Sequence, residues 1–221
     1  MAAPMIVSYD GTVNDDDALA LARLLAPSGI ALALAYVRHS HEYDPRRERL
    51  DAHDAARRLE QGAAWLGDEE IERHIVFDPS TGAGLARLAA AQGAQLILFG
   101  SDYRTSPGRV QPGGSAQGLL EGGVVAVGVA RAGLRAEPAA GIVSLAVAGE
   151  GGGAATRTAQ SLAATLGAKI VGGDDGADLI LVDSQPHGPR GRIALGGATR
   201  SRLDAARGSV IVLPRDAPLR L

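Results

Sequence analysis

The stretch "GSDYRTSPGRVQPGGSAQGLL" (100–120) follows the apolar run "AQLILF" and leads into a helix-like run. Glycines at such a junction let backbone N–H groups approach a phosphate closely, and a hydroxyl adds a further donor. Gly100, Gly113, Gly114 and Ser115 have those properties, with Arg104 and Arg109 as charge-assisted donors nearby. A second group stands at the end of "MIVSYD", where Asp10 precedes Gly11 and Thr12. A carboxylate at the carboxyl end of a strand can accept from a ribose hydroxyl or a base N–H. The same three residues also suit an Asx-turn, and the sequence leaves both readings open.

Other constellations fall away. The segment "HSHEY" places His39 and His41 on one strand face beside Glu42, but no third ligand is recognisable, so no metal is expected. The single lysine, Lys169, lies inside the strand-like "LGAKIVGG", which excludes P-loop chemistry. The glycine-rich "GEGGGAATR" (149–157) therefore reads as a flexible turn. The absence of cysteine removes thiol nucleophiles and disulfides. No nucleophile elbow is present, and Asp15, Asp16 and Asp17 read as helix-start charges, so no catalytic residue is assigned.

These groups need a scaffold. The chain has 221 residues, 46% hydrophobic but only 3% aromatic, so its core must be built from Ala, Val, Leu and Ile. A net charge of −3 without a basic patch argues against nucleic acid. No apolar run approaches the roughly 20 residues that span a bilayer. The N-terminus has no basic leader, and a cytoplasmic protein is expected. Strand-like runs at 5–10, 30–37, 71–77, 95–100 and 124–130 alternate with helical patterns at 15–27, 45–66, 81–92 and 115–122. Asn14 is the expected N-cap of the first helix. The alternation predicts an α/β fold with a parallel sheet covered on both faces.

The chain also repeats itself. "GAQLILFGS" (93–101) returns as "GADLILVDS" (176–184), an offset of 83 that carries Gly108, Gly113 and Leu120 to Gly191, Gly196 and Leu203. "IVS" at 6–8 returns at 142–144, which makes Ala146 the expected counterpart of Asp10. The second copy is shorter and is expected to lack the long helix, third strand and following helix of the first.

Both ends of the first copy resemble the universal stress protein family: the opening "IVSYDGTVNDDDALALARLLA" and the closing "LILFGS…GRV..GGSAQGLLEGGVVAVGVA". The resemblance implies a three-layer α/β/α sandwich on a five-stranded parallel sheet, the adenine-nucleotide α-hydrolase-like arrangement. It implies two domains, 1–131 and a truncated 141–221, joined by a linker at 132–140. It further implies fifth strands that pair across a homodimer or between the halves of one chain. Some members bind ATP or AMP and others bind none; they act in stress responses as binding and regulatory proteins.

Carried onto this sequence, the resemblance puts Asp10 at the adenosine and Val37 at the adenine pocket, ordinary core being the other reading of Val37. Members that bind ATP show Gly, two residues, Gly, nine residues, Gly, then Ser or Thr. Gly100 and Gly113 match, Tyr103 replaces the second glycine, and Gly114 displaces the hydroxyl to Ser115. The Tyr103 ring is expected to fill phosphate space, with Arg104 or Arg109 compensating. In the second copy Asp183 replaces Gly100, which sets a negative charge in the phosphate position. The expectation is a regulatory module with an ATP or AMP site in the first copy alone. The alternatives are a nucleotide-free interaction protein and an adenosine-group enzyme, slow ATP hydrolysis included.

Overall fold

A computed structural model of the chain describes residues 4–39, 41, 43–137, 141–149 and 153–221. The elements run β1 (Met5–Ser8), α1 (Val13–Leu25), β2 (Leu32–Arg38), α2 (Pro45–Leu66), β3 (Glu72–Phe77), α3 (Thr81–Gln92), β4 (Leu96–Phe99), α4 (Gly114–Leu120) and β5 (Ala126–Val129). They continue β6 (Ser144–Ala148), α5 (Ala154–Leu166), β7 (Lys169–Val171), β8 (Leu179–Asp183), α6 (Gly197–Ala205) and β9 (Ser209–Leu213).

Among the described residues, one nine-stranded sheet runs β3-β2-β1-β4-β5-β9-β8-β6-β7. Its central strands are apolar throughout because helices cover both faces. Leu19 of α1, Leu59 of α2 and Leu162 of α5 fill one layer, and Leu85 of α3, Leu119 of α4 and Leu203 of α6 fill the other. The strand count departs from five for a physical reason. β5 would otherwise be an open edge, and edges invite pairing. Here β9 covers it antiparallel, with Val127 opposite Val212, Gly128 opposite Ile211 and Val129 opposite Val210. All other strand pairs are parallel. The two wings on either side of this junction differ in size, since the chain passes from β7 to β8 without a helix.

Two local expectations need correction. The N-cap of α1 is Thr12, not Asn14. Asp15 stands three residues on and its carboxylate reaches back to the Thr12 N–H at 3.4 Å, which draws the helix start forward. The strand echo is also displaced. Met5 lies opposite Leu96 and Leu145 lies opposite Leu179, so β1 corresponds to β6 at an offset of 140, not 136. Ala146 therefore lies inside the strand opposite Ile180, 1% exposed, and is not the counterpart of Asp10. That counterpart is Glu150, outside the described residues. The apolar register of the sheet overrides the three-letter match, because a wrong register would take core side chains out of the core.

The segment after β5 is bolted down. Asp17 of α1 is 1% exposed and accepts from the Gly133 N–H (2.9 Å), the Arg135 N–H (2.8 Å) and Arg135 Nη1 (2.8 Å). In the other wing Thr158 of α5 is fully buried, and its Oγ1 accepts the Leu219 N–H at 3.0 Å in the chain that follows β9. No helix among the described residues is long and apolar enough to cross a membrane.

Candidate ligand crevices at the carboxyl ends of the strands

The strand order reverses between β1 and β4, and again between β6 and β8. Open α/β sheets bind ligands at such points, beyond the carboxyl ends of the strands. In the first crevice Asp10 forms the Asx-turn: its Oδ1 accepts the Thr12 N–H at 3.0 Å, and Gly11 turns at φ 85°. The Asp10 N–H donates to Asp15 Oδ2 at 2.8 Å, and Arg58 Nη1 donates to the Asp10 carbonyl. Burial, with Asp10 beside it, pushes the Asp15 carboxyl up to about 8. Burial alone would raise Asp10 as well, but hydrogen bonds from Asp15 and Thr12 hold it below its usual value. The two carboxyls are thus pushed apart, Asp15 upward and Asp10 downward.

The remaining first-crevice residues are less converged. Val37 is buried, opposite Val76, in the layer that also holds Leu85 and Phe99. Gly100 must be glycine for packing: a Cβ there would lie 2.0 Å from the Asn14 carbonyl oxygen at the start of α1. Gly113 caps α4 and Gly114 and Ser115 begin it. Tyr103 pairs with Arg104. It is 70% exposed, its hydroxyl accepts from Arg104 Nε at 2.6 Å, and the guanidinium lies over its ring. The pair stabilises itself in solvent.

The loop between these residues is a backbone scaffold that occurs twice. Ser101 Oγ donates to the Ala130 carbonyl at 2.6 Å, as Ser184 Oγ does to that of Leu213 at 2.7 Å. The Asp102 N–H donates to the Gln111 carbonyl and the Gln185 N–H to that of Ala194, both at 2.8 Å. The Gly108 N–H meets the Ala132 carbonyl and the Gly191 N–H that of Arg215, again at 2.8 Å. Every one of these pairs is related by the offset of 83. The two serines escaped the sequence reading, although both stand in the repeated "LILFGS" and "LILVDS". Asp17 and Thr158 left no such signal, because their partners lie more than 60 residues away.

The second crevice opens into a cavity of about 710 Å³ between β6, β8 and the starts of α5 and α6. Asp183 lines it, and its Oδ1 accepts the Ala155 N–H of α5 at 2.8 Å. Asp183 Oδ2 is shielded from solvent, and the Ala154 N–H and Arg157 also favour the charged carboxylate. Burial pushes this carboxyl up as well. Of the histidines, His39 faces the Asp78 carbonyl at 3.2 Å and His41 stacks on Phe77, while Glu42 lies outside the described residues. Among the described residues no group of three or more potential ligands could hold a metal ion.

A universal stress protein from Archaeoglobus fulgidus DSM 4304 superposes with a TM-score of 0.71, covering 96% of this chain and 98% of that one at 14% identity. The fold is that of a universal stress protein. A functionally unknown protein from Pseudomonas aeruginosa PAO1 is also similar, at a TM-score of 0.64 and 15% identity over 97% of this chain and 93% of the other. No protein-family model and no curated protein matches the sequence. In the universal stress protein fold the likeness extends over both wings, including the shortened one.

Proposed function

We propose that the chain works as a universal stress protein, a binding and regulatory module of the cytoplasmic stress response. In this reading a complete first copy (1–131), a linker (132–140) and a shortened second copy (141–221) descend from a duplication. Adenine nucleotide, AMP or ATP, binds in the first crevice. The observation that carries the reading is Asp10: an ionised carboxylate at the carboxyl end of β1, beside the reversal of strand order. Asp10, Gly11 and Thr12 face the adenosine, and Val37 underlies it. Gly113, Gly114 and Ser115 face the phosphates, with Gly100 holding the loop in place. The ligand regulates and is not turned over.

A second reading, a nucleotide-free interaction protein, is favoured by a different observation. Asp10 is already satisfied by its own turn, and Gly100 is packed against α1. One experiment separates the two. Purified protein is denatured and the supernatant assayed for adenine nucleotide; melting is then followed with AMP and ATP, with and without Asp10→Ala. The first reading expects a rise in melting temperature that the variant loses. No released nucleotide and no shift would establish the second, and turnover that disappears in Asp10→Ala would point to an enzyme.

A further inference from the structure

Surface charge on α2 runs against the dipole of the helix. A helix start carries partial positive charge and a helix end partial negative charge, so cations are disfavoured at the one and anions at the other. α2 has Arg46, Arg47 and Arg49 in its first turns, no basic residue in its last turn, and Asp68, Glu69 and Glu70 directly beyond its end. All six are exposed. Arg46 and Arg49, three apart on the helix, also repel each other. Glu48, the acid of the first turn, does not offset this charge alone, because Arg38 takes both its oxygens at 3.0 Å. The guanidinium groups of Arg46, Arg47 and Arg49 have no partner among the described residues. The inward side of the helix is set by Ala55, Leu59 and Ala63, all buried. On the outward side Arg46, Leu50, His53, Arg57, Glu60 and Ala64 follow at spacings of three and four, an exposed stripe. Leu50 is 67% exposed, and Gly67 has open space where a side chain would stand.

An antiparallel second copy of the chain is the complement of this stripe. With Arg57 set against Glu60 of the second copy, Arg49 falls opposite Asp68 and Arg47 opposite Glu70, while Leu50 lies over the bare Gly67. Arg57 also holds Asp54 of its own helix at 2.5 Å, yet its side chain stays 61% exposed and open to a second carboxylate. A two-fold axis repeats every contact, and each helix pole then lies beside the opposite pole. The 22 residues of α2 give the pair about 33 Å of length. The middle of the sheet offers no edge for such pairing, because β9 covers β5.

We propose that α2 is a self-association face, on which a second copy of this chain docks antiparallel through its own α2. The face is separate from both crevices and from any ligand they hold. Sedimentation equilibrium on the full chain, up to about 500 µM, is expected to show a monomer–dimer equilibrium. Its dissociation constant should rise about tenfold between about 0.05 and 0.5 M NaCl, as screening weakens exposed ion pairs. Arg49→Glu with Arg57→Glu makes the stripe acidic throughout, and Glu60→Arg with Asp68→Arg makes it basic; each double variant alone is expected to be monomeric. Mixed in equal amounts, the two are expected to recover the dimer, since every altered residue then meets opposite charge. That recovery also shows that both variants are folded. A wild type that stays monomeric at about 500 µM in low salt, a dimer that both variants retain, or a mixture that stays monomeric overturns the proposal. Saturable binding of a hexaglutamate peptide to a monomeric wild type, lost in Arg49→Glu with Arg57→Glu, would overturn it in favour of an acidic partner.

Discussion

The two crevices share a scaffold and differ in what fills the gap at the end of the strand. In the first, α1 descends until the Asn14 carbonyl leaves no room for a Cβ at Gly100. In the second, Asp183 occupies that place, and it is the facing Gly153 that has no room for a Cβ. Gly149 is closed off by Asp183 in the same way, so backbone fills the first gap and a carboxylate the second. The loop hydrogen bonds that surround these positions are the same in both. Loop glycines therefore describe the scaffold, and the position of Gly100 or Asp183 decides whether backbone or a carboxylate fills the gap. The anchors of the two wings differ in the same way. A buried carboxylate with three donors holds the segment after β5, whereas one hydroxyl holds the chain after β9.

This comparison can be broken or sharpened by substitution. The largest effect is expected for Asp17→Ala, which strands the Arg135 guanidinium and two N–H groups and should cost about 3–5 kcal/mol in urea unfolding. Gly100→Asp, which copies the second crevice into the first, should cost about 3 kcal/mol, because its Cβ meets backbone rather than a side chain that can move. If Gly100→Asp is as stable as wild type, the two crevices are not closed in the different ways described. Thr158→Val leaves the Leu219 N–H unsatisfied and should cost about 1–2 kcal/mol, clearly less than the change at Asp17.

The next effect concerns pH. Asp15 is pushed up to about 8, so the folded state holds its proton more tightly than the unfolded chain does. Stability from this group is complete below the unfolded carboxylate value and falls as pH climbs from near 4 to about 8. Burial and the neighbouring Asp10 set this window, with Thr12 opposing them. Asp15→Asn should flatten the slope, read from urea midpoints across that range; an unchanged slope would show that the pair is not coupled as described. The smallest effect is expected for Tyr103→Gly. Its ring is 70% exposed and pairs with the neighbouring Arg104, so stability should stay within about 0.5 kcal/mol of wild type.

Much of the architecture was readable in the chain. The 45–66 and 81–92 helical patterns coincide with α2 and α3, because each ends in a glycine that turns left-handed, Gly67 and Gly93. The offset of 83 was readable because no residue is inserted between "LILF" and the last strand in either copy. The offset of β1 was misread, since "IVS" is too short to outweigh a register that depends on strand neighbours far along the chain. At the candidate site, Asp10 and the loop glycines were found from residue type and spacing. The direction of Tyr103 was not, because its partner is its own neighbour and nothing in the order of residues sets a rotamer.

By itself the sequence determined the alternation of strand and helix, the repeated strand–loop–helix unit and the exchange of Gly100 for Asp183. Those are properties of local pattern and composition, which act between near neighbours. Tertiary structure alone decided that β5 and β9 close one sheet, that Asp17 and Thr158 anchor the segments beyond them, and that backbone fills the gap at one strand end and a carboxylate at the other. Each of these depends on groups from distant parts of the chain meeting within a few ångströms, where burial and close packing select one arrangement among many that the local pattern allows.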